Sequence, residues 1–218
     1  MRLNKPARKI GITCRSVSGV VPGIGRYESS LERDLMESLR FDVCVKQVTP
    51  QPVTIQFIGP EGEPRSYTPD GLIYFKPELA LKPILYEVKY RKDFRDSWKT
   101  LLPKMRAAKS YALSNGWGFE VFTEKEVRTT YLKNVKFLWP YREREISIEN
   151  KSYVLSVMAD LDEADAEFLV HALCRDKTNQ AKFIPVIWNL VATGELGCDL
   201  DMPLNMRARL WSTGASYE

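Results

Sequence analysis

The stretch "ILYEVKY" at residues 84 to 90 constrains this chain more than any other. Its apolar and aromatic start reads as a strand, yet two charges, Glu87 and Lys89, follow at the end of it. Residues two apart on a strand point to the same face, so Glu87 and Lys89 must project together while Val88 turns its side chain into the core. A second apolar run, "LIYF" at 72 to 75, is preceded by Asp70 in "TPDG" and joined to the first by "KPELALKP". The two runs therefore read as neighbouring strands of one sheet, with Asp70 at the mouth of one and Glu87 and Lys89 on the other.

The flanking periodicities supply the rest of the fold. In "ESSLERDLMESLRF", from Glu28, Leu31, Leu35 and Leu39 recur every four residues, as on one face of an amphipathic helix. Ser29 with Glu32 three residues on fits a capping box at its start. "VCVKQV" at 43 to 48 and "VTIQFI" at 53 to 58 alternate as strands do, with Pro50 and Pro52 between them, and "GPEGEPRS" reads as a turn. Residues 93 to 115 read as a basic helix kinked or broken at Pro103, and Gly116 and Gly118 lead into a short strand, "FEVF". "TEKEVRTTYLKNV" is expected as a small helix or turn before a final strand, "KFLW", at 136 to 139.

Beyond "PYREREISIENKSY" the pattern is helical again. "DEADAEFLVHALCR" and "NQAKFIPVIWNLVATG" carry apolar residues at helical spacing, and "LGCDL" with "MPLNMRARLW" is expected to form a hairpin. The expected organisation is a basic arm over 1–25, an α/β domain over 26–148 with a mixed sheet flanked by helices, and a small, mostly helical, winged-helix-like domain over 149–218.

With 218 residues and 44% hydrophobic composition, the chain can bury one substantial core or two modest ones. No apolar run approaches a membrane span, and the N-terminus lacks the apolar centre of a secretory signal, so a cytoplasmic location without membrane partners is expected. Cys14, Cys44, Cys174 and Cys198 are too scattered for a zinc site or a disulfide scaffold and are expected as free thiols.

The net charge of +4 is unevenly spread. Residues 1 to 26 hold Arg2, Lys5, Arg8, Lys9, Arg15 and Arg26 and no acid, while residues 89 to 109 hold eight basic side chains against Asp93 and Asp96. Basic density thus brackets the strand pair, as a polyanion-binding surface would. Arg91, Lys92, Lys99, Lys104, Arg8 and Lys9 are the candidate DNA contacts. Residues 160 to 167 are strongly acidic by contrast.

Two carboxylates at the ends of adjacent strands can share a hard cation such as Mg²⁺, which takes oxygen ligands and retains water and phosphate oxygens. Such an ion serves phosphodiester hydrolysis, and an ammonium beside it can orient water or stabilise developing negative charge. A plainer reading is an ion pair between Glu87 and Lys89 with Asp70 capping a turn. Glu32 is a further candidate beside its simple capping role.

"PD" at 69 to 70 with "EVK" at 87 to 89 resembles the signature of the restriction-endonuclease-like nuclease fold. "SSLERDL", "TPDG", "EVK", the basic helix, and "FEVFTEKEV" ahead of "NVKFLW" resemble more closely the TnsA family, the endonuclease half of heteromeric transposases, over about residues 25 to 140. The "FTEKEV" piece is the most family-specific and has no obvious catalytic role. The resemblance implies catalytic residues Glu32, Asp70, Glu87 and Lys89. It implies Mg²⁺, with Mn²⁺ as a substitute, held by Asp70, Glu87, the Val88 backbone carbonyl and Glu32. It also implies cleavage of the 5′ strands of double-stranded DNA at transposon ends, a TnsB-type transposase as partner, and a TnsC-type AAA+ regulator contacted through the C-terminal domain.

Two other functions remain open on the residues: an independent restriction or repair nuclease of the same fold, and an inactive DNA-binding adaptor. His171, the one histidine, is expected to be structural. Trp98, Tyr111 and Trp117 suit either base stacking or packing of a helix on its sheet.

Overall fold

The computed structural model describes residues 17–59 and 61–214. Arg8, Lys9 and Cys14 lie outside them. The chain divides between Arg128 and Thr129 into two compact units.

In the first unit a β-hairpin, β1 (Gly19–Val21) and β2 (Gly25–Tyr27), precedes α1 (Ser30–Phe41). Ser29 caps α1 by accepting the Glu32 N–H at 3.1 Å. A four-stranded mixed sheet follows, in the order β3 (Val45–Pro50), β6 (Gly71–Phe75), β7 (Ile84–Val88), β8 (Gly118–Phe122). The first three strands are antiparallel, and β8 runs parallel to β7 after a helical crossover. The "LIYF" and "ILYEV" runs are neighbours, as their spacing predicts.

Strand alternation assigns the two faces. Tyr86 and Val88 pack with Leu31 and Leu35 of α1, Val48, Ile73 and Val127. Leu85 packs on the other face with Leu72, Ile55, Tyr67 and, from the crossover helix, Met105, Ala108 and Ala112. Glu87 follows Leu85 onto that second face. There β4 (Ile55–Ile58) and β5 (Pro64–Tyr67) form their own hairpin, and the stretch expected as a turn gives up only its last three residues, Pro64 to Ser66, to the second strand.

The crossover corrects one expectation. Its helix breaks at Ser97, between α2 (Arg91–Asp96) and α3 (Trp98–Ser114), and α3 runs unbroken through Pro103. A second correction concerns "KFLW". After a short helix α4 (Glu124–Val127), residues 136 to 139 lie inside α5 (Thr130–Arg142). Leu132, Val135 and Leu138 are buried at three-residue intervals, a helical stripe that packs on α8 (Lys177–Thr193) in the second unit. The units therefore divide ahead of α5, some twenty residues before the expected boundary at 148/149.

The rest of the second unit is α6 (Ile148–Leu161), β9 (Glu163–Asp165), α7 (Ala166–Leu173), α8, β10 (Leu196–Cys198) and β11 (Arg209–Ser212). The expected hairpin is β10 with β11, and β9 completes a three-stranded antiparallel sheet, β10-β11-β9. This order of helices and strands is that of a winged helix. The start of "DEADAEFLVHALCR" is strand rather than helix, because Asp165 caps α7 by accepting the Phe168 N–H at 2.7 Å. His171 is exposed and shares a hydrogen bond with Gln180. Cys44, Cys174 and Cys198 are free thiols. Among the described residues no helix is long and apolar enough to cross a membrane.

Candidate active site

β7 is short, and its pairing with β6 ends at Gly71 opposite Tyr86, so Val88 lies beyond the last rung. Its N–H donates instead to Asp70 Oδ2 at 2.7 Å. A strand residue's N–H and C=O point to the same edge, so the Val88 carbonyl opens on the side where Asp70 lies. Asp70 is thereby held beside the end of β7.

Glu87 is 3% exposed and engaged at both oxygens. Oε1 pairs with Lys89 Nζ at 3.1 Å, and Oε2 accepts a hydrogen bond from the Tyr67 hydroxyl. Glu32 arrives from α1, where Oε2 accepts the Glu28 N–H at 2.9 Å. The capping role read from the sequence is thus real, in a form shifted by one residue. It does not exhaust Glu32, whose charge is felt by both Asp70 and Lys89.

The electrostatics bind the four side chains into one cluster. Burial, then Glu87 and Glu32, push the Asp70 carboxyl well above the usual aspartate range, against the opposing pull of Lys89 and the Val88 N–H. Burial likewise raises Glu32. Burial opposes the charge on Lys89, but Glu87 and Asp70 outweigh it and hold its pKa above the ordinary lysine value. Burial and the Glu87 carboxylate push the Tyr67 phenol up, so it stays a donor. Three carboxylates against one ammonium leave an excess of negative charge at the sheet end.

That donor set fits Mg²⁺. Asp70, Glu87 and the Val88 carbonyl are hard oxygen donors, and the crowding that raises Asp70 is what a divalent cation would relieve. Among the described residues no cluster of three or more His, Cys, Asp or Glu side chains forms a ready-made cage.

Two contributors were not legible in the sequence. Tyr67, which fixes Glu87, ends β5, a strand that begins inside the stretch expected as a turn and meets Glu87 only through the fold. Tyr86 is fully buried with no hydrogen-bond partner for its hydroxyl, and its ring lies against Gly71, next to Asp70. A β-carbon on Gly71 would overlap that ring. Gly71→Ala is therefore expected to cost about 3 kcal/mol, because neither the sheet backbone nor a fully buried ring can give way. A lowered denaturation midpoint at constant slope is the check.

The basic candidates divide. Arg91, Lys92 and Lys99 are exposed and Lys104 is half-buried. Trp98 is 50% exposed, with Lys99 Nζ 5.9 Å from its ring, whereas Tyr111 of α3 and Trp117 just after it are half-buried and pack edge to face at 6.1 Å against the core.

Comparison with known families agrees along most of the chain. Residues 42–124 match the TnsA-like endonuclease N-terminal model, and residues 126–200 match the TnsA endonuclease C-terminal model. The first match contains Asp70, Glu87 and Lys89, and Glu32 precedes it. No curated protein sequence matches the chain. With a mixed-sheet nuclease fold, a winged-helix unit and two consecutive family matches, the chain belongs to the TnsA endonuclease family, the nuclease subunits of transposases.

Proposed function

We propose that this protein is the Mg²⁺-dependent subunit that cleaves the 5′ strands at transposon ends, acting together with a TnsB-type transposase. The observation that carries the reading is the convergence of Asp70, Glu87, Lys89 and Glu32 at one sheet end in a chain of this family.

Asp70 and Glu87 would hold the ion, with the Val88 carbonyl and Glu32 as further donors; when bound, Mg²⁺, or Mn²⁺ in its place, lowers the pKa of water and offsets charge on the phosphodiester. Lys89, kept protonated by its carboxylate neighbours, orients the attacking water and faces the charge that develops on phosphorus-bound oxygens. Tyr67 keeps Glu87 in place. In the reaction water adds to phosphorus, one bridging P–O bond breaks, and the proton released by water ends on the leaving oxygen.

Arg91, Lys92, Lys99 and Lys104 would track phosphates, with Arg8 and Lys9 of the N-terminal arm. Contacts of this kind position a duplex without reading its sequence. DNA binding by the protein alone is therefore expected to be weak and non-specific. With about four phosphates neutralised, affinity falls roughly a hundredfold between 50 and 200 mM salt, as fluorescence anisotropy at several salt concentrations would measure. Choice of site comes from the transposase, and the second unit is the contact for a TnsC-type regulator.

The test is nicking of DNA carrying the element's ends in Mg²⁺, with and without the partner transposase. Nicks at the 5′ ends that require the partner support the proposal. Cleavage without it would point to an independent nuclease, and a lack of cleavage in both conditions to a DNA-binding adaptor.

A further inference from the structure

We infer that Arg128 is a positioning residue that sets the active-site geometry, and that the "FTEKEVR" segment, residues 122 to 128, exists to hold the end of β7 against the start of α1. The inference rests on the nuclease reading for what it positions, while the clamp itself is visible in the contacts.

Arg128 Nε donates to Asp34 Oδ2 at 3.1 Å. Its Nη2 donates to Ser30 Oγ at 3.2 Å and to Tyr90 Oη at 3.0 Å, and the guanidinium lies 5.5 Å from the centre of the Tyr90 ring. Ser30 Oγ and Tyr90 Oη are themselves hydrogen-bonded at 3.2 Å, closing the ring of contacts. Asp34 is only 3% exposed and also pairs with Arg33 at 3.1 Å, so its buried charge keeps a partner without Arg128. One planar fork thus joins two elements that carry active-site residues. Ser30 and Asp34 flank Glu32 on α1, and Tyr90 directly follows Lys89.

The same segment grips the residues around Lys89 from three directions. Phe122 O accepts the Lys89 N–H at 3.0 Å, Glu124 Oε2 accepts the Arg91 N–H at 2.9 Å, and Arg128 takes the Tyr90 side chain. A capping box between Thr123 and Glu126 stiffens the turn from which these contacts project. Three consecutive residues, Lys89 to Arg91, are therefore fixed where the strand leaves the sheet and pairing with β6 has already ended. The absence of a catalytic group in "FTEKEV" is explained: its work is placement.

The test compares the native full-length chain with Arg128→Ala and Arg128→Lys in two measurements. In hydrogen exchange, Arg128→Ala is expected to lose protection in peptides covering residues 29–34 and 89–91 while α3 stays protected. In single-turnover nicking with the partner transposase, at saturating DNA and Mg²⁺, the rate is expected to fall about 10- to 100-fold with little change in DNA affinity, as for a reacting group misplaced by about 1 Å. Arg128→Lys should stay slow, because a point ammonium cannot serve Asp34, Ser30 and Tyr90 in one plane.

Unchanged protection at either segment would overturn the clamp, and lost protection with an unchanged rate would overturn its catalytic assignment. Failure of the nuclease reading looks different: the native protein would not nick with its partner while the exchange pattern still depended on Arg128, which overturns the assignment to catalysis and leaves the clamp.

Discussion

Asp70→Asn is expected to reduce Mg²⁺-dependent nicking by roughly a thousandfold or more while raising the melting temperature of the metal-free protein. The two effects have one cause. Asp70 is held where burial, Glu87 and Glu32 all disfavour its charge. That arrangement suits a cation and costs stability without one. The amide keeps an acceptor for the Val88 N–H and removes the repulsion.

The sign with pH follows from linkage. An acid whose folded-state pKa is raised holds its proton more tightly folded than unfolded, so the folded state loses ground as pH rises above the ordinary aspartate value of about 4. Glu32 contributes in the same direction. The stability advantage of Asp70→Asn should therefore grow from weakly acidic to neutral pH and flatten once the native carboxyl is fully ionised. Excess Mg²⁺ should raise the melting temperature of the native protein at neutral pH, and the variant should lose most of that response. Scanning calorimetry across pH, with and without Mg²⁺, measures all three.

Lys89→Ala is expected to act in the opposite direction on stability. It leaves the Glu87 carboxylate buried without its ion-pair partner, with the Tyr67 hydroxyl still donating to it, and removes the ammonium that moderates Asp70. The metal-free variant should lose about 2 kcal/mol, the lysine's partial exposure keeping the cost below that of a fully buried pair. Nicking should fall at least about a hundredfold even with Mg²⁺ restored, because the ion replaces the countercharge but not the group facing the reacting phosphate. Opposite stability effects from two neighbouring substitutions, with activity lost in both, are what a charge-crowded catalytic cluster predicts. An exposed ion pair beside a capped turn would give small shifts in both.

The parts of this site legible in the sequence were those governed by local rules. Strand alternation put Glu87 and Lys89 on one face and Val88 on the other, and "TPDG" before an apolar run put Asp70 at a strand entrance. Ser29 and Glu32 announced the start of α1. "KFLW" was misread because a four-residue apolar run fits a strand or one turn of a buried helix equally well; Leu132 and Val135 upstream carried the deciding period. Asp165 as a helix cap was hidden inside an acidic run that reads as continuous helix. The partners of the cluster were beyond any local rule. Tyr67 meets Glu87 across 20 residues and Arg128 meets Asp34 across 94, and only the fold brings either pair together.

The most direct test of the central claim is anomalous diffraction from crystals grown with Mn²⁺, using protein whose nicking has been shown to require that ion. The account predicts a peak within coordinating distance of the Asp70 and Glu87 carboxylates, lost in Asp70→Asn. An ordered ion elsewhere, with none at this cluster in active protein, would contradict it.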